Sequence, residues 1–195
     1  FVFLLGGRLL AAGIPITQVD GIYRHQHSVG PSVDLSFSWD RSPTTVECKR
    51  ARSKKNLIEL AVKGCKQVEK SGRFGVLALD CSLLVRPEHT VLEIFSRQLK
   101  SKHILDWLET EIWAKRMRDL IQKYSSVLGM ILYCRVPAMT RILEGSPTIK
   151  FRRDCVTTIA CCSPGTRSLG NPMMQEINDR LHATASGKAI PRRIF

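Results

Sequence analysis

Three charged side chains have the types and spacing for phosphate chemistry. Asp34 precedes Glu47 by thirteen positions, and Lys49 follows Glu47 after a single intervening residue, Cys48. Carboxylates are hard oxygen ligands of the kind that Mg²⁺ prefers. An ammonium group beside such an ion could orient or help deprotonate an attacking water and offset charge on a phosphorane. The three residues are therefore candidates for metal-dependent cleavage of a phosphodiester bond.

Two strands must position these side chains. Residues 33–39 alternate apolar and polar side chains, which predicts a half-buried strand. Turn-forming residues follow at 40–43, and residues 44–49 predict the returning strand. The sequence therefore predicts a β-hairpin that carries all three candidate residues.

The register of this hairpin decides which side chains meet. A turn over residues 40–43 pairs Trp39 with Thr44 and places Asp34 opposite Lys49 and diagonal to Glu47. In this register one face carries six polar side chains, namely Asp34, Ser36, Ser38, Thr45, Glu47 and Lys49. The apolar side chains of both strands then share the other face.

The elements after the hairpin predict a crossover to a parallel strand. Residues 54–70 have an apolar stripe with helical spacing, with Ser53 as the predicted N-cap. Residues 74–79 are apolar on both faces, as in a strand buried between two layers. A strand, a helix and a buried strand in this order place the second strand parallel to the first.

This arrangement resembles the PD-(D/E)xK nuclease superfamily. The matching residues are Asp34, then Glu47-Cys48-Lys49 and Arg50, then the helix and the buried strand that ends at Asp80. The resemblance implies an α/β fold with a restriction-endonuclease-like core, in which helices flank a central mixed β-sheet. It also implies hydrolysis of DNA with Mg²⁺, or Mn²⁺ as the alternative ion, and with water as the nucleophile.

The resemblance assigns roles to the matching residues. Asp34 and Glu47 would hold the metal with help from the backbone carbonyl of Cys48, and Lys49 would position the attacking water. Gln67, on the following helix, is an accessory candidate.

The sequence also departs from the family pattern near the first acid. No proline directly precedes Asp34, and residues 1–19 contain no acid, although the first helix of the family often provides a glutamate. Asp20 is the substitute candidate for the first acid.

The charge of the chain points to a polyanionic partner. The sequence has 195 residues with 30 Lys and Arg against 17 Asp and Glu, a formal net charge of +13. Four cations directly follow Lys49 and predict a phosphate track, that is, a row of side chains that bind the backbone phosphates of a nucleic acid, with DNA favoured: Arg50, Arg52, Lys54 and Lys55. A second basic group at Lys115, Arg116, Arg118 and Lys123 could contact a DNA backbone or simply face water.

Alternatives remain open at this stage. A catalytically inactive nucleic-acid-binding module of the same fold would show the same charge, and Glu47 with Lys49 could form only a solvated ion pair. His25 and His27 could bind zinc, but a surface or DNA-proximal role is favoured. Asp80 could face the candidate site or cap the turn that follows its strand.

The remaining patterns concern domain organisation and compartment. We expect one nuclease-like domain over residues 1–170, followed by a helix and basic tail over residues 171–195. Residues 1–12 predict the end of a helix that begins earlier, and residues 88–124 predict two helices that meet near Ser101 and Lys102. Further strands are predicted over residues 128–135 and 149–162.

Seven cysteines without a Cys-x-x-Cys pair predict thiols in a reducing cytoplasm. No apolar run is long enough for a bilayer, so membrane partners are not expected. A homodimer is compatible with the sequence.

Overall fold

The computed structural model describes residues 1–19, 33–85, 97–142, 150–164 and 170–185. The first part contains α1 (Val2–Ala11), β1 (Ile16–Val19), β2 (Leu35–Trp39), β3 (Ser42–Arg50), α2 (Leu57–Lys70) and β4 (Gly75–Asp80). A short 3₁₀ helix (Ser82–Leu84), α3 (Arg97–Trp107), a π-helical turn (Leu108–Ile112) and α4 (Lys115–Gln122) follow. The last elements are β5 (Val127–Ile142), β6 (Lys150–Cys162) and α5 (Gly170–Ala185).

One mixed sheet organises these elements. Within the described ranges its six strands follow chain order, from β1 at one edge to β6 at the other. The first three strands pair antiparallel, β3 pairs parallel with β4, and β4 pairs parallel with β5. Strand β6 returns antiparallel to β5. The prediction of an α/β fold with a parallel pair across α2 is therefore confirmed.

Helices cover both faces of the sheet and form two apolar cores. Helix α2, with α3, the π-helical turn and α4, packs against one face, where Leu77 and Leu79 of β4 are fully buried. Helices α1 and α5 pack against the other face, where Val76 and Ala78 lie. All six residues of β4 are buried, as expected for a strand between two layers. Helix α5 contributes to the same core as α1.

The hairpin turn differs from the sequence prediction. Asp40 and Arg41 both have positive φ values, 45° and 62°, so the turn has two central residues and β3 begins at Ser42. Trp39 therefore pairs with Ser42 instead of Thr44, and the whole register is shifted by two residues. Because side chains alternate with a period of two, this shift keeps every side chain on its predicted face.

Two helix predictions also need correction. Helix α2 begins at Leu57, and Ser53 does not cap it, because the Ser53 N–H and hydroxyl both bind Asn56 Oδ1 at 3.2 and 3.0 Å. The helical segment is continuous at Ser101 and Lys102 and ends at the π-helical turn instead, where Ala114 is extended with a ψ of 166°. Strand β5 is longer than predicted. Asp20, His25 and His27 lie outside the described residues.

Among the described helices, none is both long enough and apolar enough to span a membrane.

Candidate functional site

Asp34, Glu47 and Lys49 come together where β2 begins beside the end of β3. Extending the observed register by one pair places Asp34 directly opposite Glu47, and not opposite Lys49 as predicted. The Asp34 Oδ2 atom accepts a hydrogen bond of 2.7 Å from the backbone N–H of Cys48. Lys49 Nζ forms an ion pair with Glu47 Oε1. The structure thus gathers the three side chains that the sequence predicted to share a face.

The face they share is the one that α2 covers. In the parallel register, Glu47 and Lys49 pair with Leu77 and Leu79, whose side chains belong to the core beneath α2. Cys48 belongs to the core on the opposite face. The candidate site therefore lies on the sheet face that α2 covers, where Glu47 is buried and Asp34 is half-buried.

Glu47 is the most deeply buried acid of the site. Only 2% of its surface is exposed, and its Oε2 atom has no hydrogen-bond partner among the described residues. Burial raises the pKa of the Glu47 carboxyl, and the hydrogen bond from Lys49 only partly opposes this change. Repulsion from the Asp34 charge and a hydrogen bond that the protonated form of Glu47 shares with Asp34 raise the pKa further. The negative charge of ionised Glu47 is therefore only partly neutralised by the described residues, and a bound cation could neutralise the rest.

Lys49 supplies part of that compensation. Its Nζ atom contacts Glu47 Oε1 and lies 3.4 Å from the backbone carbonyl oxygen of Cys48. Its alkyl chain runs under α2, because a Cβ atom on Gly64 would lie 3.5 Å from Lys49 Cγ and would collide with Leu77 Cδ1. The absence of a side chain at Gly64 lets the helix approach the strand at this point.

The carbonyl of Cys48 points toward the same edge as Asp34. The N–H and C=O groups of a strand residue point to the same side, and the Cys48 N–H is directed to Asp34. The β2–β3 ladder begins at the pair Leu35 and Val46, so no strand residue of β2 stands beside this carbonyl. The backbone oxygen therefore joins the two carboxylates as a third candidate oxygen ligand.

Two further polar side-chain atoms are buried near these elements. Gln67 Oε1 and Ser36 Oγ have no hydrogen-bond partner among the described residues. Gln67 follows Gly64 by three residues on α2, and so lies on the same side of the helix. Ser36 pairs with Thr45 in the hairpin and shares the face of Glu47. The alternating pattern of residues 33–39 predicted which face of β2 carries Ser36, but it did not predict that Ser36 is buried.

Three cations of the predicted phosphate track lie in the segment that joins β3 to α2. Arg52 and Lys55 are exposed, whereas Lys54 Nζ pairs with Glu111 Oε2 at 3.1 Å and lies 5.8 Å from the centre of the Trp107 ring. Trp107 is partly buried and packs against the core beneath α2. The segment between β3 and α2 is thereby attached to the π-helical turn.

Arg50 and Asp80 form a separate pair on the opposite face of the sheet. Arg50 Nε donates to Asp80 Oδ2 at 2.7 Å, and both residues continue the alternation of Cys48 and Ala78. Asp80 also accepts a hydrogen bond of 3.0 Å from the Ser82 N–H. Asp80 therefore caps the turn after β4, and it does not face Glu47.

The donor set is small and consists of oxygens. Within the described ranges, no group of three or more His, Cys, Asp or Glu side chains is placed to hold a metal ion. The candidate ligands are the two carboxylates and one carbonyl described above, with Gln67 as an accessory. No protein-family model, curated protein or solved structure gives a significant match to this chain.

Proposed function

We propose that this protein hydrolyses phosphodiester bonds in DNA with Mg²⁺, in the manner of the PD-(D/E)xK nucleases that its sequence resembles. One observation carries the proposal: Asp34, Glu47 and Lys49 converge, and the buried Glu47 carboxylate keeps one oxygen without a partner among the described residues. Buried polar atoms are normally hydrogen-bonded, so an unpartnered carboxylate oxygen indicates a binding site.

The order of the elements supports the same proposal. The hairpin of β2 and β3, helix α2 and the parallel strand β4 follow one another as the resemblance implies. The sheet is mixed and has helices on both faces. A restriction-endonuclease-like core is the specific architecture that we propose for it.

The oxygens of the site fit Mg²⁺. Asp34, Glu47 and the Cys48 carbonyl are hard donors, and Mg²⁺ completes its coordination with waters and substrate phosphate. When bound, the ion would polarise the phosphoryl group and stabilise negative charge that develops there. Lys49 Nζ already contacts two of these oxygens, which indicates that the site attracts positive charge.

The protein side chains would act as follows. Lys49 orients the attacking water and offsets charge on the phosphoryl oxygens. Water attacks phosphorus, the bond to the leaving sugar oxygen breaks, and the proton released from the water is balanced by protonation of that oxygen. Arg52 and Lys55 are exposed beside the site and would hold flanking phosphates. Helix α2 keeps bulk water away from Glu47.

The test uses three variants that preserve packing. Asp34→Asn keeps an oxygen that can accept from the Cys48 N–H, Glu47→Gln keeps the volume of the side chain, and Lys49→Met keeps the alkyl chain beneath Gly64. Each variant should lower the rate of Mg²⁺-dependent cleavage of plasmid and linear DNA by about 10²-fold or more, because each removes a group that acts in the transition state.

Matched controls come from the exposed side of α2. Glu59→Gln and Lys63→Met make the same chemical changes at exposed positions and should leave the rate within about twofold. The proposal fails if the wild type does not cleave DNA with Mg²⁺ or Mn²⁺, or if all three site variants remain active.

An inactive nucleic-acid-binding module is the second candidate function. It is favoured by the small donor set and by the ion pair that already occupies Glu47 Oε1. DNA binding that all three site variants retain, without cleavage by any form, would identify this function instead.

A further inference from the structure

A basic groove lies between α2 and α4, outside the candidate catalytic site. Its volume is about 580 Å³, and its walls are formed by Ile58, Lys115, Arg116, Asp119, Leu120 and Lys123. Ile58 belongs to the first turns of α2, and the other residues belong to α4 or directly follow it. We call these residues the α2–α4 groove.

The charges of the groove are unbalanced. Three cations, Lys115, Arg116 and Lys123, surround a single acid, Asp119. Four ion pairs form within the described residues: Lys49 with Glu47, Arg50 with Asp80, Lys54 with Glu111, and Arg180 with Glu176. None of these pairs includes a residue of the groove, so its positive charge is available to a ligand.

The packing of α4 against the sheet does not require the three cations of the groove. Helix α4 buries Met117 and Ile121 against the core beneath α2, and these two side chains attach the helix to the sheet. Lys115 and Lys123 each lie one helical turn from Asp119, which is the spacing of a stabilising ion pair, yet neither lies within ion-pair distance of it. The cations are therefore exposed beside the apolar side chains of Ile58 and Leu120.

The groove is connected to the candidate catalytic site by an exposed basic segment. Residues 51–56 lead from the end of β3 to α2, and Lys54 attaches this segment to Glu111, just before α4. Arg52 and Lys55 are exposed on it. A polyanion that passes the end of β3 would therefore meet these cations before it reaches the groove.

We propose that the α2–α4 groove binds the phosphate backbone of duplex DNA at a position separate from the scissile phosphate. This inference rests on the proposed function for the identity of the polyanion. A groove with several cations suits a polymer that carries one negative charge per about 1.7 Å of its axis, because each neutralised phosphate releases counterions. The groove would increase affinity and orient the duplex without taking part in bond cleavage.

The test compares two triple variants with equal loss of charge. The groove variant combines Lys115→Gln, Arg116→Gln and Lys123→Gln. The control variant combines Arg8→Gln, Arg41→Gln and Arg135→Gln, all exposed. Arg41 lies in the hairpin turn and Arg8 in α1, on the sheet face opposite α4. Arg135 alternates along β5 with Cys134 and Val136 of the core beneath α2, and so it also lies on the face opposite α4. Binding to a fluorescein-labelled duplex is measured by anisotropy with EDTA present, over a series of salt concentrations, after circular dichroism has shown that both variants are folded.

The groove variant should bind the duplex at least about tenfold more weakly than the control variant at low salt, and its slope of log affinity against log salt should fall by about 2 to 3, near 0.9 per lost phosphate contact. Equal binding by the two variants would overturn the proposal, as would a wild type that does not bind DNA. Selective loss of binding to phosphatidylserine vesicles, with DNA binding retained, would also overturn it.

The experiments distinguish failure of the groove proposal from failure of the catalytic proposal. If the wild type binds DNA through the groove but never cleaves it, the groove proposal holds and hydrolysis is wrong. If cleavage depends on Glu47 and Lys49 while the groove variant binds like the control, hydrolysis holds and the groove proposal is wrong.

Discussion

The burial of Glu47 lowers the stability of the folded protein. A carboxylate buried beneath α2 loses its hydration, and Lys49 compensates only one of its two oxygens among the described residues. The raised pKa means that folding favours the protonated form of Glu47. This contribution to stability is complete at low pH and is lost as pH rises through the raised pKa, because the ionised form is then buried. A cation beside Glu47 would restore stability at neutral pH.

The first prediction follows from the loss of stability that accompanies ionisation of the buried Glu47 carboxyl. Glu47→Gln removes the ionisable group, so the variant should lose less stability than the wild type as pH rises through the raised pKa of Glu47. Saturating Mg²⁺ should stabilise the wild type, by about 2.7 kcal/mol at a concentration of 100 times Kd, and should not stabilise Glu47→Gln. Thermal unfolding with and without Mg²⁺ measures both effects.

The control for this prediction is Glu59→Gln, at an exposed position of the first turn of α2. Its melting temperature should respond to pH and to Mg²⁺ as the wild type does. An Mg²⁺ response that survives in Glu47→Gln would show that the ion binds elsewhere.

At the scale of elements, close approach between α2 and the sheet builds the site. The end of α2 packs on the start of β4, where a Cβ atom on Gly75 would lie 2.7 Å from the Thr45 carbonyl oxygen and 2.8 Å from Val68 Cγ1. The backbone contact is to Thr45 of the neighbouring strand β3, and the contact with the helix is to the Val68 side chain. A side chain at position 75 would therefore push β4 away from both β3 and α2. Gly64 permits the same approach above Lys49. The two glycines therefore keep the helix close enough to bury Glu47.

The second prediction compares two glycine substitutions of opposite effect. Gly75→Ala should destabilise the protein by about 1–3 kcal/mol, because the new methyl group collides with backbone. Gly7→Ala, in the middle of α1 with no atom within 4 Å of the added Cβ, should stabilise it by about 0.5–1 kcal/mol. Urea unfolding of the two variants beside the wild type measures the difference. Equal effects would show that β4 can move away from both β3 and α2 to accept a side chain.

At the scale of the molecule, the two cores account for most of the cysteines. The seven thiols all lie in described residues and form no disulfide, as the sequence predicts. Burial raises the pKa of Cys65, Cys134 and Cys162 to about 12. It raises the pKa of three others still further: Cys48, Cys81 and Cys161. Cys155, in β6, is exposed.

The third prediction concerns thiol reactivity. Ellman's reagent at pH 8 should modify Cys155 in a fast phase, because five of the other thiols are buried, Cys161 is half-buried with a raised pKa, and all six stay protonated. In denaturant the reagent should modify all seven thiols. Cys155→Ser should abolish the fast phase. Stability should also fall above about pH 8.5, where thiols of the unfolded chain ionise while the six native thiols with raised pKa values retain their protons. A fast phase of several thiols would contradict the two-core structure.

Some features of this protein follow from the sequence alone. Alternation with a period of two assigned Asp34, Ser36, Glu47 and Lys49 to one face, and this assignment survives the error in register because the shift is an even number of residues. The apolar run of β4 predicted a buried strand, since a local pattern records how many faces of a strand are covered. The net charge of the chain and the Glu47-Cys48-Lys49 motif can also be read from the sequence alone.

Other features depend on contacts between distant residues. The two-residue turn at Asp40 and Arg41 lacks the glycine that normally marks positive φ, so the pairing of Asp34 with Glu47 needed the folded hairpin. The assignment of Asp80 to the opposite face, the burial of Glu47 beneath α2 and the groove between α2 and α4 also needed the tertiary structure. Residue pattern determines the face of an element, whereas register, burial and cavities are determined by the elements that pack against it.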